Sequence, residues 1–597
     1  REAIVEKLAA NGLVDHIDEN YVHNLSVCYR CESPVEPLPK LQWFIDVNKL
    51  FTFRASSNAA IGGIKDGEQV TLKSLMSYVV RSEQIRIIPD RFKKTYFHWI
   101  DNLRDWNISR QIWFGHRVPV WYRSIPPLSD LSAEALAKAE GGLGGVGVQS
   151  ELFVGVQPPQ GEGWVQDSDT LDTWFSAGLW TFSTLGWPDK TQDLRTFHPT
   201  SVLETGYDII FFWVARMILM TTYALGEIPF KTVYLHGLVR DERGRKMSKS
   251  LDNVIDPLDM IKLYGADATR LSLVIGSTPG NDSKLSEAKV AGYRNFTNKL
   301  WNISRFVLSS VDRDATKVAK NPEPHTLTDR WILSRLASLQ LEVTKHLEAY
   351  EFSQAGEKLR DFTWGEFADW YLEIAKIQRL DSTDAILLYI LENLLVLWHP
   401  FMPFVTEEIW KHFSVPPLPE GGLGGVGVPV LLMIHPWPAP ALDHHDLAVE
   451  SAFDRVQSLI VAIRNIRSIH KLPPKVRVDV TIVGAIPDGQ EEIIRSLAGV
   501  GELTFAHQAP HADGFASAVV DDVQIYVSLA GLVDKQKEEA KLRAQATELK
   551  AYLDSLTVKL ANTEFLSKAP PAVVASMRQK LSEAETKLRV IQSQLSS

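Results

Sequence analysis

At 597 residues the chain is too long for one hydrophobic core, and its length predicts about four domains. Its 45% apolar and 23% charged residues are a globular composition, and a formal net charge of −10 excludes a protein that binds nucleic acid over its whole surface, so any RNA contact must come from local basic patches. Two cysteines exclude a disulfide framework, and the longest apolar run, Ile209–Met220, is too short to span a membrane and carries Arg216, so it reads as a buried helix.

In chain order, Ile4, Val5 and Leu8 recur at helical spacing and the pattern closes near Asn11-Gly12, so the chain opens at Arg1 inside a helix, as a truncated sequence would. Cys28 and Cys31 have the spacing of half a tetrahedral metal site. With no second pair in the chain, zinc is not expected, and the metal-ligand set is predicted as none. Residues 46–290 alternate short apolar runs with helical patterns, as a doubly wound parallel sheet does. Arg123–Gln166, rich in Pro, Gly and Ala, interrupts them as an inserted loop. A helical connector follows over 291–327.

Thr328 is placed as the N-cap of a helix-rich segment over 328–475. There Phe367, Trp370/Tyr371 and Ile374 recur at helical spacing, and Ile386–Trp398 is apolar almost all round, as the central helix of a bundle would be. From 476 the period drops to two: Val476, Val478, Val480 and Ile482, then Val523, Ile525, Val527 and Leu529, predict a small α/β segment over 476–530. Over 531–597, Leu542, Leu549, Leu553, Leu556 and Leu560 are followed, beyond Pro570-Pro571, by Met577, Leu581, Leu588, Ile591 and Leu595. That rhythm predicts an antiparallel coiled coil. Residues 534–597 hold 11 Lys/Arg against 8 Asp/Glu, a basic excess on an acidic chain. The nonamer EGGLGGVGV occurs at 140–148 and again at 420–428, and reads as flexible linker without function.

The chemistry concentrates in Gly244-Arg-Lys-Met-Ser-Lys-Ser250. Lys246 and Lys249 are ammonium groups three residues apart, beside Ser248, Ser250 and the pliant Gly244. Such a loop can close over a polyphosphate and place charge on a departing group. Asp256 suits the N-cap of the next helix, Pro257 its first position and Gly265 its exit.

The loop lies in YLHGLVRDERGRKMSKS (234–250). With it go DTLDTWFSAGLWTFSTLGWP (169–188), TGYDIIFFWVARM (205–217), GNDSKLSE (280–287), GYRNFTNKLWN (292–302), WHPFMPFVTEEIW (398–410) and ANTEFLSKAPPAVV (561–574). Together these resemble the class I aminoacyl-tRNA synthetases, and the valyl enzymes in particular. Isoleucyl and leucyl relatives share the KMSKS loop but are not expected to carry the last block.

The resemblance implies a multidomain α/β plus all-α fold. Residues 1–45 would be the tail of an editing insertion and a connecting ribbon. Residues 46–290 would be the C-terminal part of a Rossmann-like class I catalytic domain, 328–475 an anticodon-binding bundle and 531–597 a tRNA-binding arm. It implies ATP-dependent ligation of valine to tRNA(Val) through valyl-adenylate, with ATP and Mg2+ as the substrate complex, in the cytoplasm and without a membrane, by a monomer or by a chain paired with a separate N-terminal half.

By the same resemblance Lys246 and Lys249 are catalytic, and Gly206, Asp208, His236, Gly237, Lys246, Met247, Ser248, Lys249 and Ser250 bind ATP, with Asp208 on the ribose hydroxyls and His236-Gly237 at the adenine. Trp174, Ile209 and Trp213 are walls of the valine pocket. The family's HIGH motif is not found; the nearest look-alike, Gly115-His116, opens GHRVPVW, a different block. The isolated chain is therefore expected not to form valyl-adenylate. A non-catalytic tRNA-binding module or a split-enzyme subunit is the alternative reading, and an isoleucyl- or leucyl-tRNA synthetase a weaker third.

Overall fold

A computed structural model describes the chain except residues 1, 19–20, 23, 29–30, 36–40, 57–59, 125–149, 249–250, 312–320, 413–430, 511–513, 530–534, 562–570 and 597. Lys249, Ser250, both copies of the nonamer and Pro570 therefore lie outside the described residues. So do the side chains of Leu542 and Leu595. Two compact units divide the chain, Arg1–Val233 and Tyr234–Ser597.

In the first unit, α1 (Glu2–Ala10) closes at Gly12, whose φ of 68° places it in the left-handed region, as the Asn-Gly signal predicts. Helix α2 (Leu72–Arg81) starts from a capping box in which the Thr71 and Ser74 side chains each accept from the other's backbone N–H at 3.0 Å. It buries Leu72, Leu75, Met76, Val79 and Val80, one stripe of an amphipathic helix. After it come β1 (Arg86–Ile88), α3 (Phe92–Asp101), β2 (Trp106–Asn107) and β3 (Ser109–Arg110).

The described ends of the predicted insertion, and the residues just before it, form strands. Strands β4 (Val120–Ser124), β5 (Ser150–Val154) and β6 (Trp164–Gln166) form an antiparallel sheet with β4 in the middle. Cross-strand pairs such as Trp121 with Phe153 hold it together despite the Gly and Pro content nearby. Strand β7 (Thr170–Leu171) pairs with β3 and leads into α4 (Thr173–Gly178).

Strand β8 (Thr200–Gly206) leads into a 3-10 turn (Tyr207–Ile209), a π turn (Ile210–Val214) and then α5 (Ala215–Leu225). The single buried helix expected over Ile209–Met220 is thus three helical types in succession, and it is buried at Ile210 and from Val214 to Leu219, Arg216 included, while Phe212 is exposed. Strand β9 (Phe230–His236) follows, and β8, β9 and β1 hydrogen-bond in that order. Among the described residues of 46–290 the strands form that three-stranded sheet, the antiparallel sheet of β5, β4 and β6, and two-stranded ribbons.

In the second unit, β10 (Val239–Arg240) pairs in parallel with β11 (Ser283–Lys284), and between them lie α6 (Pro257–Tyr264) and α7 (Ala266–Val274). The α6 signals hold: the Asp256 carboxylate accepts from the Leu258 N–H at 2.8 Å, Pro257 opens the helix and Gly265 exits it at φ 92°. Helix α8 (Glu287–Ser310) leads to the bundle.

Helix α9 (Leu327–Glu348) is capped by Thr326, not by Thr328, which is buried in the first turn. The Thr326 hydroxyl accepts from the Asp329 N–H at 3.0 Å and the Asp329 carboxylate accepts from the Thr326 N–H at 3.1 Å. A carboxylate three residues on makes that box possible, whereas Thr328 has Trp331 at that position.

Helix α10 (Phe352–Asp361) runs into a π-helical stretch (Phe362–Tyr371), followed by α11 (Asp381–Trp398), α12 (Pro403–Trp410) and α13 (Leu447–Ile469). Helix α11 is the predicted central helix: Ile386–Leu391 and Leu394–Trp398 are each at most 8% exposed. Each such side chain contributes about 1.5–3 kcal/mol by leaving water.

Beyond it β12 (Val478–Val483), α14 (Glu491–Ala498), β13 (Val500–Ala506), β14 (Phe515–Val520) and β15 (Val523–Ser528) form a sheet in the order β13–β12–β15–β14. The alternation seen in sequence buries Val478, Val480, Ile482, Val523, Ile525 and Val527, while Val476 precedes the strand. Helices α15 (Lys535–Ala561) and α16 (Pro571–Ser596) pack along each other and bury Leu553, Leu556 and Ala584.

Candidate functional site

The Lys246 loop is a hairpin built around one carboxylate. After β10 the chain turns at Gly244 (φ 81°), whose N–H donates to the Asp241 carbonyl at 2.9 Å, while the Asp241 N–H donates to the Arg245 carbonyl at 3.0 Å. Asp241 is 5% exposed. Its side chain accepts from the Arg245 N–H at 2.7 Å, the Arg245 Nε at 2.8 Å and the Asn253 Nδ2 at 2.9 Å. The Asn253 amide bond leads these partners in pulling the acid down to about 2.

Asn253 also ties both limbs of the loop. Its Nδ2 donates to the Lys246 carbonyl at 3.2 Å and its Oδ1 accepts from the Ser248 N–H at 2.9 Å. Lys246 itself is exposed. Met247 is half-buried and packs on the cluster of Met260, Ala268, Leu285 and Val290, so its apolar side chain anchors the loop between two polar neighbours. Lys249 and Ser250 are not among the described residues.

His236 is exposed, with Nδ1 2.7 Å from the Gly237 carbonyl oxygen. At Gly237 the chain comes so close to another backbone segment that a Cβ there would lie 1.8 Å from the Asn281 carbonyl oxygen. That segment is held by Asp282, whose Oδ1 accepts from the Leu238 N–H at 2.9 Å and whose Oδ2 pairs with Arg240.

In the first unit, Gly206 ends β8 buried and Asp208 stands exposed in the 3-10 turn. Tyr207 between them stacks on Phe92 of α3 at 5.5 Å. The three pocket candidates come together around α4 and the π turn. Trp174 stacks on Phe212 at 5.7 Å, Trp213 Nε1 donates to the Ala177 carbonyl at 3.2 Å, and Ile209 ends the 3-10 turn just before the π turn; all three candidates are half-buried. His116 Nδ1 lies 2.8 Å from the Ser176 hydroxyl on α4.

Cys28 and Cys31 sit in a tight turn in which the Cys28 N–H donates to the Ser33 carbonyl at 2.9 Å and the Glu32 N–H to the Cys28 carbonyl at 2.8 Å. Among the described residues no group of three or more His, Cys, Asp or Glu side chains is placed to hold a metal ion.

Asp241, Asn253 and Asp282 were not singled out in the sequence. Their signal was their place, immediately before, after and opposite the lysine loop, but a carboxylate or amide that organises backbone carries no spacing rule of its own.

A family profile described as tRNA synthetases class I (I, L, M and V) matches residues 35–286. The anticodon-binding domain of tRNA ligase matches 329–482, and the valyl tRNA synthetase tRNA binding arm matches 534–597. The valine–tRNA ligase of Dehalococcoides mccartyi (strain 195) is 38% identical over 596 residues, covering 97% of this chain and 62% of the relative. That of Syntrophotalea carbinolica is 39% identical over 606 residues, covering 99% and 62%. This chain therefore spans under two thirds of the relatives' length. A solved LeuRS–tRNA–LeuAMS complex of Agrobacterium radiobacter K84 matches at 21% identity and a TM-score of 0.45, over 59% of this chain and 46% of that one. On the three matched segments and the relatives aligned along nearly its whole length, the chain belongs to the class I tRNA synthetases, in the group that carries the valyl tRNA-binding arm.

Proposed function

We propose that the chain serves the ATP-dependent joining of valine to tRNA(Val). The observation that carries this reading is the lysine loop, held by Asp241 and Asn253 with Lys246 left exposed, in a chain that also matches the valyl arm. The valine carboxylate attacks the α-phosphate of ATP, supplied with Mg2+ as the substrate complex. Pyrophosphate leaves, and a hydroxyl of the terminal ribose of the tRNA then takes the aminoacyl group from the resulting valyl-adenylate, releasing AMP.

In-line displacement asks the protein for positioning and for charge on the phosphates. Lys246 and Lys249 supply that charge as the pyrophosphate departs. Met247, Ser248 and Ser250 bind ATP with them. Asp208 accepts from the ribose hydroxyls beside Gly206, and His236 and Gly237 border the adenine. Trp174, Ile209 and Trp213 read the branched side chain by apolar shape.

The bundle over 328–475 reads the anticodon end, and 531–597 lies along the tRNA backbone through its local basic excess. Residues 46–290 are the catalytic part, 291–327 the connector, 476–530 a small α/β spacer and 1–45 the ribbon of an editing insertion. The protein works in the cytoplasm, as a monomer or with a separate N-terminal half.

The test is valine-dependent ATP–pyrophosphate exchange and charging of tRNA(Val), with the chain joined to the remainder of a relative's sequence. Valine-specific charging that Lys246→Ala lowers by at least about a hundredfold supports the reading. Tight tRNA(Val) binding without any exchange would instead make it a binding module.

A further inference from the structure

Arg216, in the first turn of α5, is 5% exposed, and its Nη1 has no hydrogen-bond partner among the described residues. A guanidinium so far from water needs compensation. Two rings provide part of it: the guanidinium carbon lies 4.0 Å from the Trp106 ring centroid and 4.8 Å from that of Phe211. Asp172 adds opposing charge, yet burial still draws the arginine down to about 10.

Those partners belong to the two sides of the amino-acid pocket. On one side, the Asp172 Oδ2 accepts from Trp106 Nε1 at 3.1 Å and pairs with Arg110 Nη2 at 3.1 Å. Asp172 stands at the N-cap position of α4, but its carboxylate makes no cap hydrogen bond. The helix end bearing Trp174 is therefore held by Trp106 and Arg110 from outside. On the other side, Phe211 lies in the π turn between Ile209 and Trp213 and stacks on Trp99 at 4.7 Å. The backbones of the two elements also meet, since a Cβ on Gly178 would lie 3.3 Å from the Arg216 carbonyl oxygen.

We propose that Arg216 is a positioning residue that fixes the separation of the two pocket walls, Trp174 on α4 and Trp213 on the π turn with Ile209 just before it, and thereby sets the width open to a branched aliphatic side chain. A guanidinium stacks on aromatic faces and is more weakly hydrated than a lysine ammonium, so it suits this buried, ring-lined position better. The inference rests on the valine-pocket reading above.

The experiment is valine- and isoleucine-dependent ATP–pyrophosphate exchange, in the joined protein, for the unaltered sequence, Arg216→Met, Arg216→Lys and Trp213→Ala. One methylene in an apolar pocket governs about 10–200-fold in selectivity. Arg216→Met should raise the KM for valine about tenfold and lower the preference for valine over isoleucine about tenfold, with the KM for ATP unchanged. Arg216→Lys should restore folding yield but only part of the selectivity.

A role in stability alone would lower kcat or yield and leave both the valine KM and the selectivity where they were, overturning the proposal. If Trp213→Ala raises the valine KM and neither Arg216 variant does, the positioning role falls and the pocket stands. If none of the three moves it, or the unaltered sequence shows no exchange, the pocket reading falls and the inference with it.

Discussion

Asn253 donates to the Asp241 carboxylate at 2.9 Å and, through the same Nδ2, to the Lys246 carbonyl at 3.2 Å, so one amide joins the two ends of the lysine loop. The loop's mobility should then be governed from its base. Asp241→Ala removes the acceptor for Arg245 and Asn253 together and leaves the loop to open locally. Trypsin cleavage after Arg245 or Lys246 should become about tenfold faster while the rest of the digestion pattern is unchanged. An unchanged rate at those bonds would show that Asn253 and Met247 hold the loop without the carboxylate.

Gly237 faces the Asn281 backbone so closely that any side chain must displace it, because the nearest atoms to a built Cβ are all main chain. Gly237→Ala should cost about 3 kcal/mol and shift the 281–283 segment that Asp282 ties to Leu238 and Arg240. Chemical denaturation of the variant, with hydrogen exchange at Leu238 and Ser283, checks this. Exchange as slow as in the unaltered chain would mean that the segment yields at no cost.

What was legible in the sequence was what local rules encode. Asp256, Pro257 and Gly265 bracket α6, and the alternation of Val478, Val480 and Ile482 found its strand, because caps and two-residue periods depend only on neighbours. Thr326 was missed in favour of Thr328 because a capping box is decided by the partner three residues on, and here that partner is an aspartate. The lysine loop was visible through Lys246 and Met247, but its organisers were not. Asp241 and Asn253 meet across twelve residues, and Arg216 meets Trp106 and Asp172 from distant elements, so nothing in the spacing marks them. Arg216 was noticed only as an odd charge in an apolar run, which is all a buried cation shows before its partners are known.

Lys471 is a non-glycine residue at φ 53°, one place beyond the cap of α13. Its N–H donates to the Ser468 carbonyl at 3.0 Å and the next N–H, of Leu472, to the Arg467 carbonyl at 2.9 Å. That pairing is a Schellman closure, in which the left-handed position is normally a glycine's. Since Lys471 is exposed, Lys471→Gly should relieve the strain and stabilise the second unit by about 0.5–1 kcal/mol. A rise in the denaturant midpoint without a change in slope supports this. A fall would mean that the lysine limits the unfolded chain more than it strains the folded one.

The bundle carries an ion network whose balance sets its response to acid. Arg335 grips Glu366 through two bonds, at 2.8 and 2.9 Å, and donates to Glu450 at 3.0 Å; Glu450 also accepts from the Ser334 hydroxyl at 2.6 Å and that of Ser338 at 3.2 Å. Burial by itself would raise the Glu450 acid, but the Ser334 hydroxyl and the Arg335 guanidinium outweigh it and hold the acid below its ordinary 4.5. A carboxylate that is more acidic in the folded state gives its stabilisation in full above the unfolded value. It loses that stabilisation as pH falls through the folded value. The bundle should therefore weaken below about pH 4.5.

Glu450→Gln should be less stable than the unaltered chain at pH 7, and the difference between them should shrink in acid. Arg335→Met, which strands both carboxylates, should cost about 3 kcal/mol at pH 7, the low end for a broken buried pair because the arginine side chain is 34% exposed. Its deficit should also narrow as the pH falls, since protonation removes the uncompensated charges. Denaturant titrations at pH 7 and pH 4 decide it: a gap that widens in acid would mean that the carboxylates are not held ionised by Arg335, and the network would then be a packing feature rather than an electrostatic one.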